Sequence, residues 1–273
     1  MAKATDAKST GTVLRVVRVL RSIAEAKQPL SIKELSEALD LPASTVHRLL
    51  NLLASEGLIE KDDESRNYQS GAELIRLSSL LIANRNLNDI ARPFMQEVVD
   101  RCNEACMLVA YLPATLQVSV LAAINSSHPL RYDMQLYNAH TLLWGATGRS
   151  VLAFLSEEEQ AAAYKAGAAA PGSGRKLPSF KTLQQELEEI RERGYALSYG
   201  EKISGALGMG SPIYKMDNRV IGSLCITLPQ VRFDPANEKK LGGLIRQQAE
   251  RLSHALGYQG LYPRPPTRHA SDR

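Results

Sequence analysis

Residues 31–53, SIKELSEALDLPASTVHRLLNLL, constrain the fold more than any other stretch, because they predict two short helices joined by a tight turn. Ser31 and Glu34 have the spacing of a capping box, in which each side chain bonds the other residue's backbone N–H, so a helix is expected to begin there. The residue before Pro42 is pushed out of the α region, so the first helix ends and a second one begins at that proline.

The second of these helices separates an apolar face from a polar one. Val46, Leu49, Leu50 and Leu53 recur at helical spacing and predict the buried side. The opposite side is small, polar and short of acid, which suits close approach to a duplex and donation to phosphate oxygens and base edges. This pattern favours a DNA-recognition helix, with a helical hairpin whose polar face is merely solvated as the alternative. The candidate DNA-contacting residues are Arg15, Lys33, Ala43, Ser44, Thr45, His47, Arg48 and Arg66.

The flanking segments extend the same prediction. Residues 13–25 form a helical stripe of Val13, Val16, Val17, Leu20, Ile23 and Ala24, with arginines off the stripe. After the second helix, residues 58–68 predict a β-hairpin, or wing, whose tip residue Arg66 either enters a minor groove or is a solvated turn residue. Residues 1–80 carry eleven Lys/Arg and eleven Asp/Glu, so DNA binding would rest on local clustering of bases rather than on bulk charge.

Composition excludes several other classes of protein. A chain of 273 residues with 44% apolar residues is long enough for two domains. It has neither a signal-peptide core nor an apolar run of membrane-spanning length, so we expect a cytoplasmic protein with no membrane partner. The three cysteines give no disulfide framework or zinc spacing, although Cys102 and Cys106 are expected to share a helix face. No metal, no cofactor and no catalytic motif is predicted.

Residues 71–86 predict a linker helix between the two halves. Its apolar residues cover more than one face, which favours burial against a second copy of the chain, with packing on the following domain as the alternative. These residues are Leu74, Ile75, Leu77, Leu80, Leu81 and Ile82.

The second half predicts an α+β domain, an antiparallel sheet covered by helices. The expected strands span residues 107–112, 117–124, 130–137, 195–199, 208–214 and 220–228, and the expected helices span 88–103, 150–155, 156–166, 180–193 and 235–256. Residues 168–176 are expected to form a flexible surface loop, and the glycine-rich residues 205–210 to let a strand bend or pass close to a ligand. The predicted divisions are a tail (1–11), a DNA-binding domain (12–70), the linker (71–86), an effector domain (87–258) and a tail (259–273).

A run of small residues predicts a ligand site in that domain. Gly145, Ala146, Thr147 and Gly148 precede a helix expected to begin near Arg149, so their backbone N–H groups could converge on a carboxylate. Trp144 beside them is either an aromatic wall of the site or a core residue. Additional polar groups close in sequence are Arg131, Tyr132 and His140.

Taken together, these motifs resemble the IclR family of bacterial transcription regulators. The resemblance rests on the capped helix, the recognition helix STVHRLL, the EGL step into the wing, residues 136–159, Gly194-Tyr195, Glu201 with Ser204-Gly205, and GSPIYKMDNRVIGSLCIT at residues 210–227. It implies a winged helix-turn-helix, a linker helix and a six-stranded GAF-like sensor domain. Across the ligand pocket it places Tyr199, Ser204, Cys225 and Thr227, although for Cys225 taken singly, as for Trp144, ordinary core packing is the favoured alternative.

The expected function is therefore a ligand-responsive transcription regulator that is not an enzyme. It would bind a palindromic double-stranded operator as a dimer or tetramer and take a small organic acid as effector. An aromatic carboxylate such as a hydroxybenzoate fits the predicted loop beside an aromatic ring, and glyoxylate or pyruvate is the rival. The alternative from another class is an acid-binding protein or enzyme whose N-terminal domain mediates protein contacts.

Overall fold

In a computed structural model of the chain, residues 11–26, 28–62, 65–83, 86–132 and 134–263 are described, with residues 80–83 and 86 described for their backbone. The chain divides into two compact units, residues 1–85 and residues 86–273. The predicted N-terminal tail up to residue 10 and the last ten residues lie outside the described residues.

The first unit is a winged helix-turn-helix. Its elements are α1 (Thr12–Glu25), α2 (Ile32–Leu39), α3 (Ala43–Ser55), β1 (Ile59–Lys61), β2 (Tyr68–Ser70) and α4 (Ala72–Ala83). Strands β1 and β2 pair antiparallel, and Leu30 forms an isolated bridge with Tyr68 that ties the start of α2 to the wing. Val19, Leu35, Leu50 and Ile59 bring α1, α2, α3 and the wing into one apolar core.

The capping box that predicts the start of α2 is confirmed. The Ser31 hydroxyl accepts from the Glu34 N–H at 3.2 Å, and the Glu34 carboxylate accepts from the Ser31 N–H at 2.7 Å. The helix ends at Asp40, whose left-handed backbone (φ 52°) turns the chain toward Pro42, the N-cap of α3. Local chemistry thus sets both ends of the turn.

The predicted buried stripe of α1 is wrong in part. Val19 and Ile23 are buried, while Val13 is 78% exposed and Val17 is exposed as well. Apolar residues occupy most of this helix, so more than one face could have been buried, and contact with α2 and α3 selects the face that carries Val19. Arg18, expected on an exposed basic edge, donates instead to the Leu39 carbonyl at 3.0 Å.

The second unit is a six-stranded antiparallel sheet with helices packed on it. Its strands are β3 (Ala105–Leu112), β4 (Gln117–Ile124), β5 (Ala139–Thr141), β6 (Ala196–Tyr199), β7 (Ala206–Tyr214) and β8 (Val220–Pro229), in the spatial order β5-β4-β3-β8-β7-β6. Its helices are α5 (Asn86–Cys102), α6 (Gly145–Leu152), α7 (Glu157–Lys165), α8 (Phe180–Arg193) and α9 (Glu238–Ala255). Single 3-10 turns at Gln230–Arg232 and Pro235–Asn237 lead into α9. The predicted α+β class is confirmed.

Helix α6 packs closely on β7 because two strand positions there lack a side chain. A Cβ on Gly210 would lie 2.9 Å from the Ala146 carbonyl oxygen and 2.7 Å from the Cys225 Sγ, and one on Gly208 would lie 3.2 Å from the Ala146 Cβ. The glycine-rich segment is therefore part of a strand over which a helix passes, and its glycines remove the side chains that would hold the helix away.

Several element predictions in the second unit need correction. No strand forms at residues 130–132 and 134–137, and the edge strand β5 lies further along at Ala139–Thr141. Cys106 lies in β3, so it does not share a helix face with Cys102. The expected surface loop at residues 168–176 is mostly exposed, although Ala170 within it is buried. The predicted tail from residue 259 begins too early, because Tyr262 is buried and donates to the Pro212 carbonyl at 2.6 Å.

Candidate DNA-binding helix and effector cavity

The polar face of α3 is exposed within its own unit. Val46, Leu49, Leu50 and Leu53 are buried as the periodicity predicts. On the opposite face Ala43, Ser44, His47 and Arg48 are exposed, and Thr45 is half-buried. The first unit therefore presents a helix face with one arginine, one histidine and small residues in its first turn, which is the surface that a major-groove reader needs.

The remaining DNA-contact candidates differ in exposure. Lys33 is exposed on α2, whereas Arg15 is half-buried, and its Nε has no hydrogen-bond partner among the described residues. Arg66 is exposed at the wing tip with a left-handed backbone (φ 58°). The tip is fastened by Asp62, whose carboxylate accepts from the Ser65 N–H at 2.9 Å. Residues 63 and 64 lie outside the described residues.

The second unit contains a cavity of about 430 Å³ between α6 and the sheet. Apolar side chains of β3, β4 and β7, with Met134 and Ile203, supply much of its wall. Its polar groups come from α6, β5, β6, β8, Gln135 and the loop at residues 200–203. The lining includes Met107, Val120, Met134, His140, Thr147, Ser198, Glu201, Lys202, Ile203, Leu207 and Cys225. A cavity of this size with few polar groups is typical of a small-molecule site.

Five of the predicted ligand-binding residues line this cavity. They are Gly145, Ala146, Thr147, Cys225 and Thr227, and His140, predicted to assist, lines it too. Gly148 does not. A Cβ there would lie 2.6 Å from the backbone oxygens of Thr141 and Leu142, so this glycine serves the packing of α6 against the chain that precedes it.

Trp144 is a core residue and not a wall of the cavity. It is fully buried, and its indole N–H donates to the Ala168 carbonyl at 2.8 Å. The guanidinium carbons of Arg149 and Arg175 lie 5.6 Å and 5.8 Å from the centre of its ring. The indole N–H is hydrogen-bonded and two guanidinium groups lie over the ring, so Trp144 stabilises the start of α6 from the core side.

Two residues implied by the family resemblance also lie away from the cavity wall. Tyr199 is 50% exposed, and its ring meets that of Phe233 edge to face, with the centroids 6.1 Å apart. Ser204 is exposed, and its carbonyl accepts from the Tyr132 hydroxyl at 3.3 Å. Arg131 is exposed and absent from the lining as well. Tyr199 and Ser204 flank the loop at residues 200–203, which lines the cavity, so they stand close in sequence to residues that line it.

The first N–H groups of α6 are not free for an external anion. The helix begins at Gly145, earlier than predicted, and the Gly145 N–H donates to the Glu201 carboxylate at 3.0 Å. The Ala146 N–H donates to the Ser198 hydroxyl at 3.0 Å. A carboxylate does sit at this helix N-terminus, where anions are favoured, but it belongs to the chain itself.

Lys202 is the site residue that the sequence did not reveal. Its Nζ lies 3.0 Å from the Thr147 hydroxyl oxygen, and among the described residues no carboxylate lies within ion-pair distance of it. Burial lowers the pKa of Lys202 to about 8, because removal from water disfavours the charged amine. Lys202 lies in an irregular loop between Gly200 and Gly205, where no sequence periodicity predicts burial. Only the folded structure therefore shows that its side chain lies in the cavity wall.

The other titratable groups of the cavity are held uncharged. Burial, and then the charge of Lys202, lower the pKa of His140 to about 4, so its imidazole is neutral near pH 7. Burial raises the pKa of the Cys225 thiol to about 11, partly offset by hydrogen bonds and by Lys202. Lys202 and Glu201 are therefore the charged groups among the described residues that line the cavity.

Two features are absent from the part of the chain that the structure describes. No helix there is long and apolar enough to cross a bilayer. No group of three or more His, Cys, Asp or Glu side chains there could hold a metal ion.

Both halves of the chain match models of one protein family. Residues 12–63 match the IclR helix-turn-helix domain, and residues 80–254 match the C-terminal domain of the bacterial transcriptional regulator IclR. The acetate operon repressor of Salmonella typhimurium is 24% identical over 257 residues, which are 93% of this chain and 94% of that protein.

Solved structures share the fold. The structure of an IclR transcriptional regulator from Silicibacter sp. TM1040 has a TM-score of 0.83 and 22% identity, and it covers 94% of this chain and 100% of its own. An IclR homolog from Microbacterium hydrocarbonoxydans, solved in complex with 4-hydroxybenzoate, has a TM-score of 0.70 and 20% identity, with 90% and 99% coverage. Because the C-terminal family model alone matches more than half of the chain, this protein belongs to the IclR family of bacterial transcriptional regulators, which bind DNA and are not enzymes.

Proposed function

We propose that this regulator reads a palindromic operator with α3 and that a small organic acid, bound in the cavity through Lys202, changes its affinity for that operator. The single observation that carries the effector class is the ammonium group of Lys202, which is largely buried without a carboxylate partner among the described residues. A buried charge is unfavourable unless it is paired, so a ligand carboxylate would supply what the protein leaves out.

Thr147 supports the same class of ligand. Its hydroxyl lies 3.0 Å from the Lys202 Nζ in the first turn of α6. A carboxylate oxygen placed on the ammonium could therefore also accept a hydrogen bond from the Thr147 hydroxyl, and charge-assisted hydrogen bonds are the stronger kind. Lys202 and Thr147 thus take the role that the sequence assigned to the backbone N–H groups of residues 145–148.

Within this class we favour an aromatic carboxylate such as a hydroxybenzoate. The cavity of about 430 Å³ has apolar walls from Met107, Val120 and Leu207, which a planar ring would cover. A two- or three-carbon acid such as glyoxylate or pyruvate would leave most of that wall without contact. The relative solved with 4-hydroxybenzoate has the same fold, which supports the choice.

For DNA recognition we propose the residues that α3 exposes, with Arg48 as the principal contact. Arg48 and His47 are exposed, and the small first-turn residues would let the backbone approach a groove closely. Lys33 and Arg66 are proposed as phosphate or minor-groove contacts at the flanks. Arg15 is the weakest candidate, because it is half-buried.

We further propose that the first unit pairs with a second copy. On α4, Ile75 is 58% exposed and Leu77 is exposed too, while α1 exposes Val13 and Leu14. Exposed apolar side chains of this kind are typical of contact surfaces, and a two-fold pair would match a palindromic operator. The side chains of residues 80–82, on which the dimer prediction also drew, lie outside the described residues.

The effector would act by linkage between the two units. A ligand changes DNA affinity only to the extent that it binds one arrangement of the protein more tightly than another. In the second unit the ligand would contact Lys202 and Thr147, so the loop at residues 200–205 and α6 are the elements whose arrangement it would bias.

Thermal unfolding with candidate acids tests this proposal. We expect benzoate or 4-hydroxybenzoate to raise the unfolding temperature of the wild type more than glyoxylate or pyruvate do. The variant Lys202→Met should lose this stabilisation, while Lys165→Met on α7 should keep it. Operator binding measured with and without the same acid should then change for the wild type and for Lys165→Met, but not for Lys202→Met. Absence of stabilisation by any carboxylate would refute the acid-binding proposal.

A further inference from the structure

We infer that Glu201 is a specificity-determining residue that limits the effector to a single negative charge. The inference rests on the proposed binding of an acid at Lys202 and adds a property to it. The cavity is lined by one cation, Lys202, which can pair with one ligand carboxylate. It is also lined by the carboxylate of Glu201, which would repel a second ligand carboxylate.

The charges around the cavity are few. Among the described lining residues, Lys202 is cationic and Glu201 is anionic. His140 and Cys225 are neutral near pH 7, because burial lowers the pKa of the first to about 4 and raises the pKa of the second to about 11. A ligand with one carboxylate would leave the cavity with one cation paired and one anion held by the protein. A second ligand carboxylate would find no further cation among the described residues that line the cavity.

Glu201 is held in place from several sides. One carboxylate oxygen accepts from the Gly145 N–H at 3.0 Å, and the other lies 3.5 Å from the Arg175 Nη1. The Glu201 backbone carbonyl accepts from the Gly172 N–H at 2.8 Å, and the side chain is only 13% exposed. Arg175 is anchored in turn by Glu186, 3.3 Å away. A dianion could not displace Glu201 without breaking these contacts together.

The position of Glu201 also removes the other place that would suit an anion. The N-terminus of α6 attracts negative charge, and the Glu201 carboxylate fills it. A second ligand carboxylate at this helix N-terminus would therefore be repelled by the Glu201 carboxylate that already occupies it. Because the Glu201 side chain is largely buried, this repulsion is screened less than it would be between charges at a surface.

The test compares ligands of one shape that differ by one charge. A nitro group has nearly the shape of a carboxylate and is neutral, so 2-, 3- and 4-nitrobenzoate pair with phthalate, isophthalate and terephthalate. Calorimetric titration of the full chain at pH 7.5 gives a dissociation constant for each acid. The three isomers cover the directions in which a second carboxylate could point. Variants Glu201→Gln and Glu186→Gln complete the set, because both carboxylates contact Arg175 and only Glu201 lines the cavity.

We expect the wild type to bind at least one nitrobenzoate and to bind the matching dicarboxylate at least tenfold more weakly. Glu201→Gln should reduce that ratio at least tenfold, whatever its effect on nitrobenzoate affinity, because the two ligands are compared on the same variant and the amide oxygen can still accept from the Gly145 N–H. Glu186→Gln should keep the wild-type ratio.

Equal binding of a nitrobenzoate and its dicarboxylate by the wild type would overturn the role of Glu201 and leave the acid-binding proposal intact. An unchanged ratio in Glu201→Gln would do the same. The wild-type comparison decides the matter even if that variant does not fold. Failure of every acid to bind the wild type would overturn both proposals.

Discussion

The ammonium of Lys202 lies 3.0 Å from the hydroxyl oxygen of Thr147. This contact joins the loop at residues 200–205 to the first turn of α6 and leaves the amine facing a cavity with apolar walls. A cation in such a place would make the proposed binding of an acid depend on pH.

Acid binding should weaken above about pH 8. Burial lowers the pKa of Lys202 to about 8, so the free protein loses the charged amine as the pH rises through that value. A bound carboxylate favours the charged form, so binding is accompanied by proton uptake in this range. Calorimetric titration with benzoate from pH 6.5 to pH 9.5 should show constant affinity below 7 and up to about a tenfold loss per pH unit well above 8.

The variant Lys202→Met is the control for this pH profile. It should bind benzoate weakly and show no decline between pH 7 and pH 9.5. Because it also removes a charge that burial disfavours, it should unfold at a higher denaturant concentration than the wild type at pH 7. A steady affinity up to pH 9.5 in the wild type would exclude Lys202 as the carboxylate partner.

His140 should make the second unit less stable in mild acid. The pKa of His140 is about 4 in the folded chain, against 6.5 for an exposed histidine. Between pH 6.5 and pH 4 the unfolded chain therefore binds a proton at His140 that the folded chain does not bind. The free energy of unfolding therefore falls as the pH drops from 6.5 to 4. His140→Gln should flatten this part of the profile, measured by urea unfolding at several pH values.

The matched control for His140 is Gln135→Ala, which alters a residue of the same cavity that does not titrate. It should keep the wild-type slope between pH 4 and pH 6.5. A His140→Gln profile parallel to the wild type would show that His140 is not the group responsible.

Gly210→Ala should destabilise the second unit by about 1–3 kcal/mol. The new Cβ would lie 2.9 Å from the Ala146 backbone oxygen and 2.7 Å from the Cys225 Sγ, so α6 would have to shift. Gly243→Ala on α9 is the opposite case, since nothing lies within 4 Å of its Cβ, and it should stabilise by about 0.5–1 kcal/mol through helix propensity.

Fluorescence of Trp144 can follow the unfolding of the Gly210→Ala and Gly243→Ala variants, because Trp144 is the single tryptophan of the chain and is buried beside α6. Acid binding should also weaken in Gly210→Ala, since Ala146 and Thr147 move with the helix. Equal stability of Gly210→Ala and the wild type would show that the added methyl group fits between β7 and α6, contrary to the distances in the structure.

Arg48→Ala should weaken operator binding. Arg48 is exposed on the polar face of α3, so its removal leaves the core of the unit unchanged. Loss of a phosphate contact reduces the slope of log affinity against log salt by about 1, whereas loss of a base contact costs about 1–3 kcal/mol for one sequence. Fluorescence anisotropy with the operator and with unrelated DNA at several salt concentrations distinguishes the two.

Arg219→Ala is the control, since Arg219 is an exposed arginine in the turn between β7 and β8 of the second unit. It should leave affinity and salt slope as in the wild type. If Arg48→Ala bound the operator like Arg219→Ala, Arg48 would not belong to the DNA-binding surface.

The sequence by itself determined the helix-turn-helix and most of the sheet. Ser31 and Glu34 encode a helix start within four residues, and the apolar spacing from Val46 to Leu53 encodes one buried face. Strand β4 and helix α8 match their predicted limits because turns and caps lie next to them. Such signals are local, so they act before any tertiary contact forms.

Only the tertiary structure decided which residues face the ligand cavity. Trp144 and Lys202 lie at either side of the same helix start, yet the aromatic residue is in the core and the lysine is in the cavity. The buried face of α1 and the position of β5 were decided in the same way. A side chain in an irregular loop has no period that assigns it to a face, so its surroundings are fixed by elements distant in sequence, here by α6 packing over glycines of β7.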